Sequence, residues 1–459
     1  MNRLVPALFL AAAASAMLSA CGGGGAVTTP PPPPPPPPRG QLLATDAATT
    51  VSKTVIDAYD ADQAMGPTRP GETASCAVTV RRIHYATPGP GRSILTASAG
   101  LLVPTGTGCS GQRPLVSIQH GTSLSAAFDA ADPASDIVLM AAKYYASHGY
   151  VAVIPDYLGY GVSRAQVSVH PYLIAEADAA AVVDGMRAAR QWFATSDGLA
   201  SGITLASGVL LTGTSEGGYI SMATQRTMER DFPSEFSIAA NVAISGSYDL
   251  ANEVLDDLAN ADAAGNSDTA AATFLLTSYQ AVYGDVYTRP DTVFQPPWAA
   301  GVGGLLPSTR FGSGTQLIRA CLLPFNLDTA PSPPPSCDPA PLLQPQFVAD
   351  FQHSTPGKPG GIARAHIDDN DLVNPAWRPS GPLLPCYGGL DDTARMNAQA
   401  AVAALAVPAV DVQVSGPAFI VSWMVANRHA ADYHGRVEAG GCTAYARYMV
   451  FDEVVPPLR

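Results

Sequence analysis

The stretch Val209-Leu210-Leu211-Thr212-Gly213-Thr214-Ser215-Glu216-Gly217-Gly218-Tyr219 constrains this chain more than any other. An apolar run rich in β-forming residues ends at Gly213, and residues 219–230 have helical character. A serine therefore sits in a G-x-S-x-G turn between a strand and a helix. Such a turn forces the serine into a strained backbone conformation and pushes its hydroxyl out at the carboxyl edge of a sheet. The glycines are needed because the two backbones pass too close for side chains. The helix N-terminus then faces the oxygen that turns negative during acyl transfer. With 42 glycines in 459 residues, a bare tight turn is the competing reading. The strand before and the helix after favour the chemical one.

The rest of the chain has a rhythm that suits this turn. Residues 77–85 and 93–103 read as strands joined by a Gly89-Pro90-Gly91 turn. Residues 114–119, 150–155, 209–213, 239–245, 382–388 and 409–414 read as further strands. Between them, residues 136–148 and 171–193 have helical spacing, and 441–451 reads as a final helix. Strands alternating with helices imply an α/β fold, a mainly parallel sheet with helices on both faces. Residues 42–69 read as a polar wrap with a short helical pattern. Residues 250–343 break the rhythm and are expected to form a cap inserted into a single domain spanning 41–459.

A serine hydroxyl needs a base, an acid that orients the base, and donors for the oxyanion. After such a turn these come in the order Ser, Asp or Glu, His. Asp391 follows the strand-end turn Gly388-Gly389-Leu390, with Asp392 as the alternative acid. The histidines beyond it are His429 and His434. His434, on an expected loop before the last helix, is the better base. His120-Gly121-Thr122 follows an early strand, so the backbone N–H groups of Thr122 and Glu216 are the expected oxyanion donors.

These stretches resemble the α/β-hydrolase superfamily, and within it the secretory lipase and esterase group. The resemblance is carried by Gln119-His120-Gly121-Thr122, Pro155-Asp156-Tyr157-Leu158-Gly159-Tyr160-Gly161, His170-Pro171-Tyr172, Gly213-Thr214-Ser215-Glu216-Gly217-Gly218 and Gly388-Gly389-Leu390-Asp391. It implies hydrolysis of small-molecule or lipid carboxylic esters by Ser215, Asp391 and His434 through an acyl-enzyme, with no cofactor or metal. It also implies that Tyr157 lines the mouth of the site. Thr393-Ala394-Arg395 stands where members often carry Val-Pro. Two other readings compete. One is a serine peptidase of the prolyl-oligopeptidase type, whose usual β-propeller repeats are not seen in the sequence. The other is a non-catalytic surface lipoprotein on a hydrolase scaffold.

The N-terminal residues look like targeting sequence. Arg3 precedes an apolar run over 4–18, and Leu18-Ser19-Ala20-Cys21 resembles a bacterial lipobox. The expectation is a signal peptide over 1–20, cleavage before Cys21, a lipid on Cys21 and membrane anchoring in the cell envelope. Residues 21–40 then form a tether, with a proline run over 30–38 as a stiff spacer. Six further cysteines in an exported chain suggest disulfides, expected as Cys76–Cys109, Cys321–Cys337 and Cys386–Cys442. No C-x-x-C pair or Cys/His cluster suggests a metal site. A net charge of −13 with no basic stripe makes nucleic acid an unsuitable partner.

Overall fold

The computed structural model describes residues 35–59, 66–259, 266–296, 299, 302, 306–307, 342–373, 376–430 and 433–455. Cys21, Cys321 and Cys337 lie outside the described residues. The chain divides into Met1–Pro36 and Pro37–Arg459, and all that follows concerns the second unit.

Its centre is one twisted sheet. The strands are β1 (Leu42–Thr45), β2 (Thr49–Val51), β3 (Ala77–Pro88), β4 (Ile94–Thr105), β5 (Gly111–Gln119), β6 (Val151–Pro155), β7 (Ile203–Thr214), β8 (Ser237–Ile244), β9 (Leu383–Tyr387) and β10 (Val410–Asp411). They lie in the order β1-β3-β4-β6-β5-β7-β8-β9-β10, with β2 also paired to β3. The strands β1 to β4 are antiparallel to their neighbours, and from β6 to β10 the pairing is parallel. This is the mixed sheet that the sequence implied. Two edge pieces differ. Residues 42–51 supply two short strands besides the helix Lys53–Ala58, and the last core strand is only Val410–Asp411, followed at once by a short helix.

Side-chain alternation builds a core on each face of the sheet. Val151, Val153, Val209 and Leu211 belong to one core, while Ala152, Ile154 and Leu210 belong to the other. The first core is closed by the helices α1 (Ala175–Trp192) and α2 (Glu216–Asp231). The second is closed by Asp136–Tyr144 and by the C-terminal helical segment. Near-continuous apolar strands follow from burial on both faces.

Between β8 and β9 the chain leaves the sheet. Helices Leu250–Ala259 and Asn266–Tyr283 lie where a cap is expected. The excursion also runs on past residue 343, through helices Pro345–Gln352 and Pro359–Asn370. These share one core with those two helices, since Leu343, Phe347, Phe351 and Ile367 are buried with Leu275 and Leu276. Among the described residues no helix is long and apolar enough to cross a membrane.

Candidate active site

Strand register brings the candidate loops to one level. Gln119 at the end of β5 pairs with Gly213, and Thr214 at the end of β7 pairs with Ile244. Ile244 pairs with Cys386, four residues before the candidate acid's neighbour Leu390. The segments after β5, β7 and β9 therefore all leave the same carboxyl edge. Ligands of open α/β sheets bind along that edge.

Ser215 is the turn residue between β7 and α2, with φ 58° and ψ −121°. A non-glycine residue at positive φ is strained, and such strain collects at functional sites. Its own N–H donates to Ile244 O at 2.9 Å, which pins the turn to β8. The flanking glycines permit the approach that the turn needs. A Cβ on Gly217 would lie 2.1 Å from Gln119 O, and one on Gly213 would lie 2.4 Å from Gly217 O. Gly121 is packed against the turn as well, with Thr214 O 3.2 Å and the Ser215 Cβ 3.8 Å from where its Cβ would stand.

The loop after β5 is held from behind. Tyr157 donates its hydroxyl to His120 O at 3.1 Å, and its ring stacks on that of His120 at 4.1 Å. Tyr157 is fully buried, so it supports the loop from within and does not stand at the mouth. His120 is buried too. Burial lowers its imidazole to about 4, so it stays neutral, and its Nδ1 lies 2.7 Å from Gly121 O. Thr122 is tied through its hydroxyl to the hydroxyl of Tyr172 at 3.0 Å. Glu216 opens α2, where a first-turn N–H has no partner within the helix. Its side chain points away into the core and meets His170 Nε2 at 2.5 Å, while His170 Nδ1 meets Leu158 O at 2.9 Å. This buried pair was not foreseen, because nothing in the spacing of residues 170 and 216 links them.

Asp391 and His434 come together. Asp391 Oδ2 lies 2.7 Å from His434 Nδ1. Asp391 Oδ1 accepts the N–H of Ala394 at 2.8 Å, so the same carboxylate caps the helix Asp392–Leu405. A proline at 394 could not donate that bond, which gives the departure at Thr393-Ala394-Arg395 a local reason. Asp392 instead faces solvent and pairs with Arg395. His429 is exposed and meets Arg428, away from either acid. His434 differs from expectation in its setting. It lies in a π-helical turn, Tyr433–Glu438, that opens the terminal helical segment. Such turns are frequent at functional sites.

A third group joins the pair. Glu438 Oε2 lies 3.2 Å from His434 Nδ1, and its Oε1 accepts the N–H of Gly388 at 2.7 Å. Burial works against charge on Asp391, yet the hydrogen bond and charge of His434 hold its carboxyl down at about 2. Burial pushes Glu438 up to about 7. Burial also opposes charge on His434, but the two acids outweigh it and raise the imidazole well above its usual value. The nearest atoms of the three side chains lie within 4.8 Å of one another, and each acid bonds to His434 and to a backbone N–H, of Ala394 for Asp391 and of Gly388 for Glu438. The disulfide Cys386–Cys442 joins β9, just before Asp391, to the segment that carries His434 and Glu438. Cys76–Cys109 is also formed, and both match the expected pairing.

The ligand-bound esterase LipA from Xanthomonas oryzae, described as degrading the rice cell wall, is similar over nearly the whole chain. The two are 32% identical, with a TM-score of 0.74, over 91% of this chain and 100% of LipA. The chain belongs to the α/β-hydrolase family of esterases and lipases. A candidate hydrolase from Legionella pneumophila shares the fold at 21% identity and a TM-score of 0.66, over 85% of this chain and 99% of that one. Candida antarctica lipase A in its closed state shares it at 13% identity and a TM-score of 0.53, over 81% and 76%. No family model matches the chain, and no curated protein does. The two disulfides among the described residues of this α/β-hydrolase fit an oxidising compartment outside the cytoplasm.

Proposed function

We propose that this ester hydrolase works by a serine mechanism on carboxylic esters, with Ser215 as nucleophile, His434 as base and Asp391 as its orienting acid. The observation that carries the reading is a strained serine on the strand-to-helix turn of the same sheet edge that bears a hydrogen-bonded Asp–His pair. His434 takes the Ser215 proton through Nε2, the nitrogen that Asp391 leaves open. Ser215 attacks the ester carbonyl, and the oxyanion is met by the N–H groups of Thr122 and Glu216. The alcohol leaves with the proton from His434. Water, deprotonated by the same imidazole, then releases the acid. Removing one oxyanion donor would cost about 3–4 kcal/mol in the transition state.

The acyl side of the substrate has a suitable place. A largely apolar cavity in the β8–β9 excursion is lined by Leu250, Val254, Leu258, Leu275, Phe347 and others. Tyr172 and Glu253 also line it. Tyr172 contacts Thr122 on the oxyanion side, and Glu253 accepts from Asn397 of the helix that Asp391 caps. An apolar acyl chain fits such a wall better than a peptide or a sugar does. We also propose that Cys21 carries a lipid that anchors the enzyme in the cell envelope, which mass spectrometry of the membrane-extracted protein tests.

The test is hydrolysis of p-nitrophenyl esters from acetate to palmitate, with Ser215→Ala beside the parent. Loss of the serine should lower kcat by about 10⁶ and abolish fluorophosphonate labelling. Turnover that survives in Ser215→Ala would remove the serine mechanism. Turnover of aminoacyl anilides in place of esters would favour the peptidase.

A further inference from the structure

A triad needs one acid, and this site has two at the same imidazole nitrogen. Glu438 stands four residues after His434 in the π-helical turn, and its side chain is wholly buried. Asp391 arrives from another part of the chain, the turn after β9. Both carboxyl groups reach His434 Nδ1, and their oxygens lie within 4.8 Å of each other. Two carboxylates so close ionise together less readily than either would alone. The remaining Glu438 oxygen is occupied by Gly388 N–H, in the same turn that presents Asp391.

We propose that Glu438 is a positioning residue for the ester hydrolysis, a second acid that together with Asp391 fixes the orientation and basicity of His434. The proposal rests on the triad reading above. Burial delays ionisation of Glu438 to about 7, so above that pH it stands charged beside Asp391, which is ionised throughout. When Glu438 loses its proton, the negative charge beside Nδ1 grows and the imidazole holds its own proton more tightly. The cluster thus titrates as a unit. The other titratable groups facing it are Tyr433 on its own turn, Tyr248 after β8, and Glu253 on the excursion. Of these, Glu253 is bonded to Ser247 and Asn397, and Tyr433 to Gln413. No sequence pattern marks Glu438, because a glutamate four residues after a histidine is ordinary on any helix.

The experiment compares Glu438→Gln and Asp391→Asn with the parent in the full chain, reading kcat/KM for a p-nitrophenyl ester against pH. Glutamine keeps the shape and an acceptor for Gly388 but cannot ionise. With its charge gone, His434 should release its proton at lower pH. The acid limb of the profile should move down by about half a pH unit or more, with KM nearly unchanged. A Glu438→Gln profile that overlays the parent overturns the proposal. If that variant does not fold, Asp391→Asn decides, since asparagine still caps the helix. In a site with a single acid the corresponding change costs about 10⁴ in kcat. A loss nearer 10² supports a second acid, and the full 10⁴ overturns it. Turnover retained in Ser215→Ala would instead sink the triad reading, which keeps the two failures apart.

Discussion

Gly217 holds the nucleophile turn against the loop of the oxyanion donors, and one methyl group should separate them. In Gly217→Ala the new Cβ would stand 2.1 Å from Gln119 O and 2.7 Å from both Gln119 C and His120 O. All three are backbone atoms of β5 and its loop, so no side chain can swing aside. Real Cβ atoms essentially never come within 3.0 Å of such a neighbour. The two backbones must therefore part by about 0.9 Å, the gap between those limits, which moves the serine turn relative to the loop after β5. A misplacement of about 1 Å at reacting groups costs about 10²-fold in rate. Overpacking of this kind costs about 1–3 kcal/mol in stability, so the variant should still fold. Its kcat/KM on a short p-nitrophenyl ester should drop by about 10² while thermal unfolding shifts only by some degrees. Gly71→Ala is the control, because Gly71, which unlike Gly217 has a positive φ (76°), meets nothing within 4 Å. It should lose some stability and keep its turnover. Parent-like kcat/KM in Gly217→Ala would refute the close-approach argument.

Two further outcomes follow from the same contacts. Burial holds Glu253 and Glu438 up at about 7, whereas an unfolded glutamate titrates near 4.3. Above pH 6.5 the folded chain thus binds more protons than the unfolded one, and stability falls as pH rises through 7. His434, raised by its two acids, acts in the same direction there. His120 and His148, lowered to about 4 by burial, act oppositely, mostly below about pH 7, where the unfolded histidine still binds part of a proton. The fall from pH 6.5 to 8 should be about 1–2 kcal/mol, and a melting temperature that rises over this interval would contradict it. Replacing Cys386 and Cys442 by serine opens a loop whose ends are 56 residues apart, worth about 4 kcal/mol of unfolded-state entropy. Urea unfolding should shift accordingly, and turnover should fall with it because the acid turn and the base turn are no longer joined. An unchanged midpoint would show that packing alone holds them.

Much of this architecture could be read from residues alone, for identifiable reasons. The serine turn was legible because only glycines fit where β7, α2 and β5 crowd together. The meeting of Asp391 with His434 was legible because chain order restricts the acid and histidine candidates after the serine turn. What stayed hidden depends on contacts between distant segments. β1 and β2 are edge strands of four and three residues, too short for an alternation to show, so residues 42–69 read as a helical wrap. The long helix α1 begins at Ala175 and not at Pro171, because Leu173 turns through φ 54° and Asp178 accepts the N–H of Ile174. Tyr157 looked like a lining residue, yet its ring is locked between His120 and His170. Such stacking is invisible until the fold brings the three rings together. The extent of the cap was underestimated because Pro345 and Pro359 begin helices there, although prolines also punctuate loops.

The β8–β9 excursion has a consequence for how this enzyme can change. The serine, the acid and the base all stand on the sheet edge or on the helical segment bonded to it. Most of the apolar wall belongs to helices that enter after β8 and leave before β9. The two parts meet through a few polar links, Tyr172 with Thr122 and Glu253 with Asn397. On the proposed reading, chemistry and selectivity are thereby written on separable lengths of chain. Substitutions among Leu258, Leu275 and Phe347 can reshape what is accepted while the bond-breaking groups keep their distances, so new substrates are reachable by small steps that never pass through an inert ancestor.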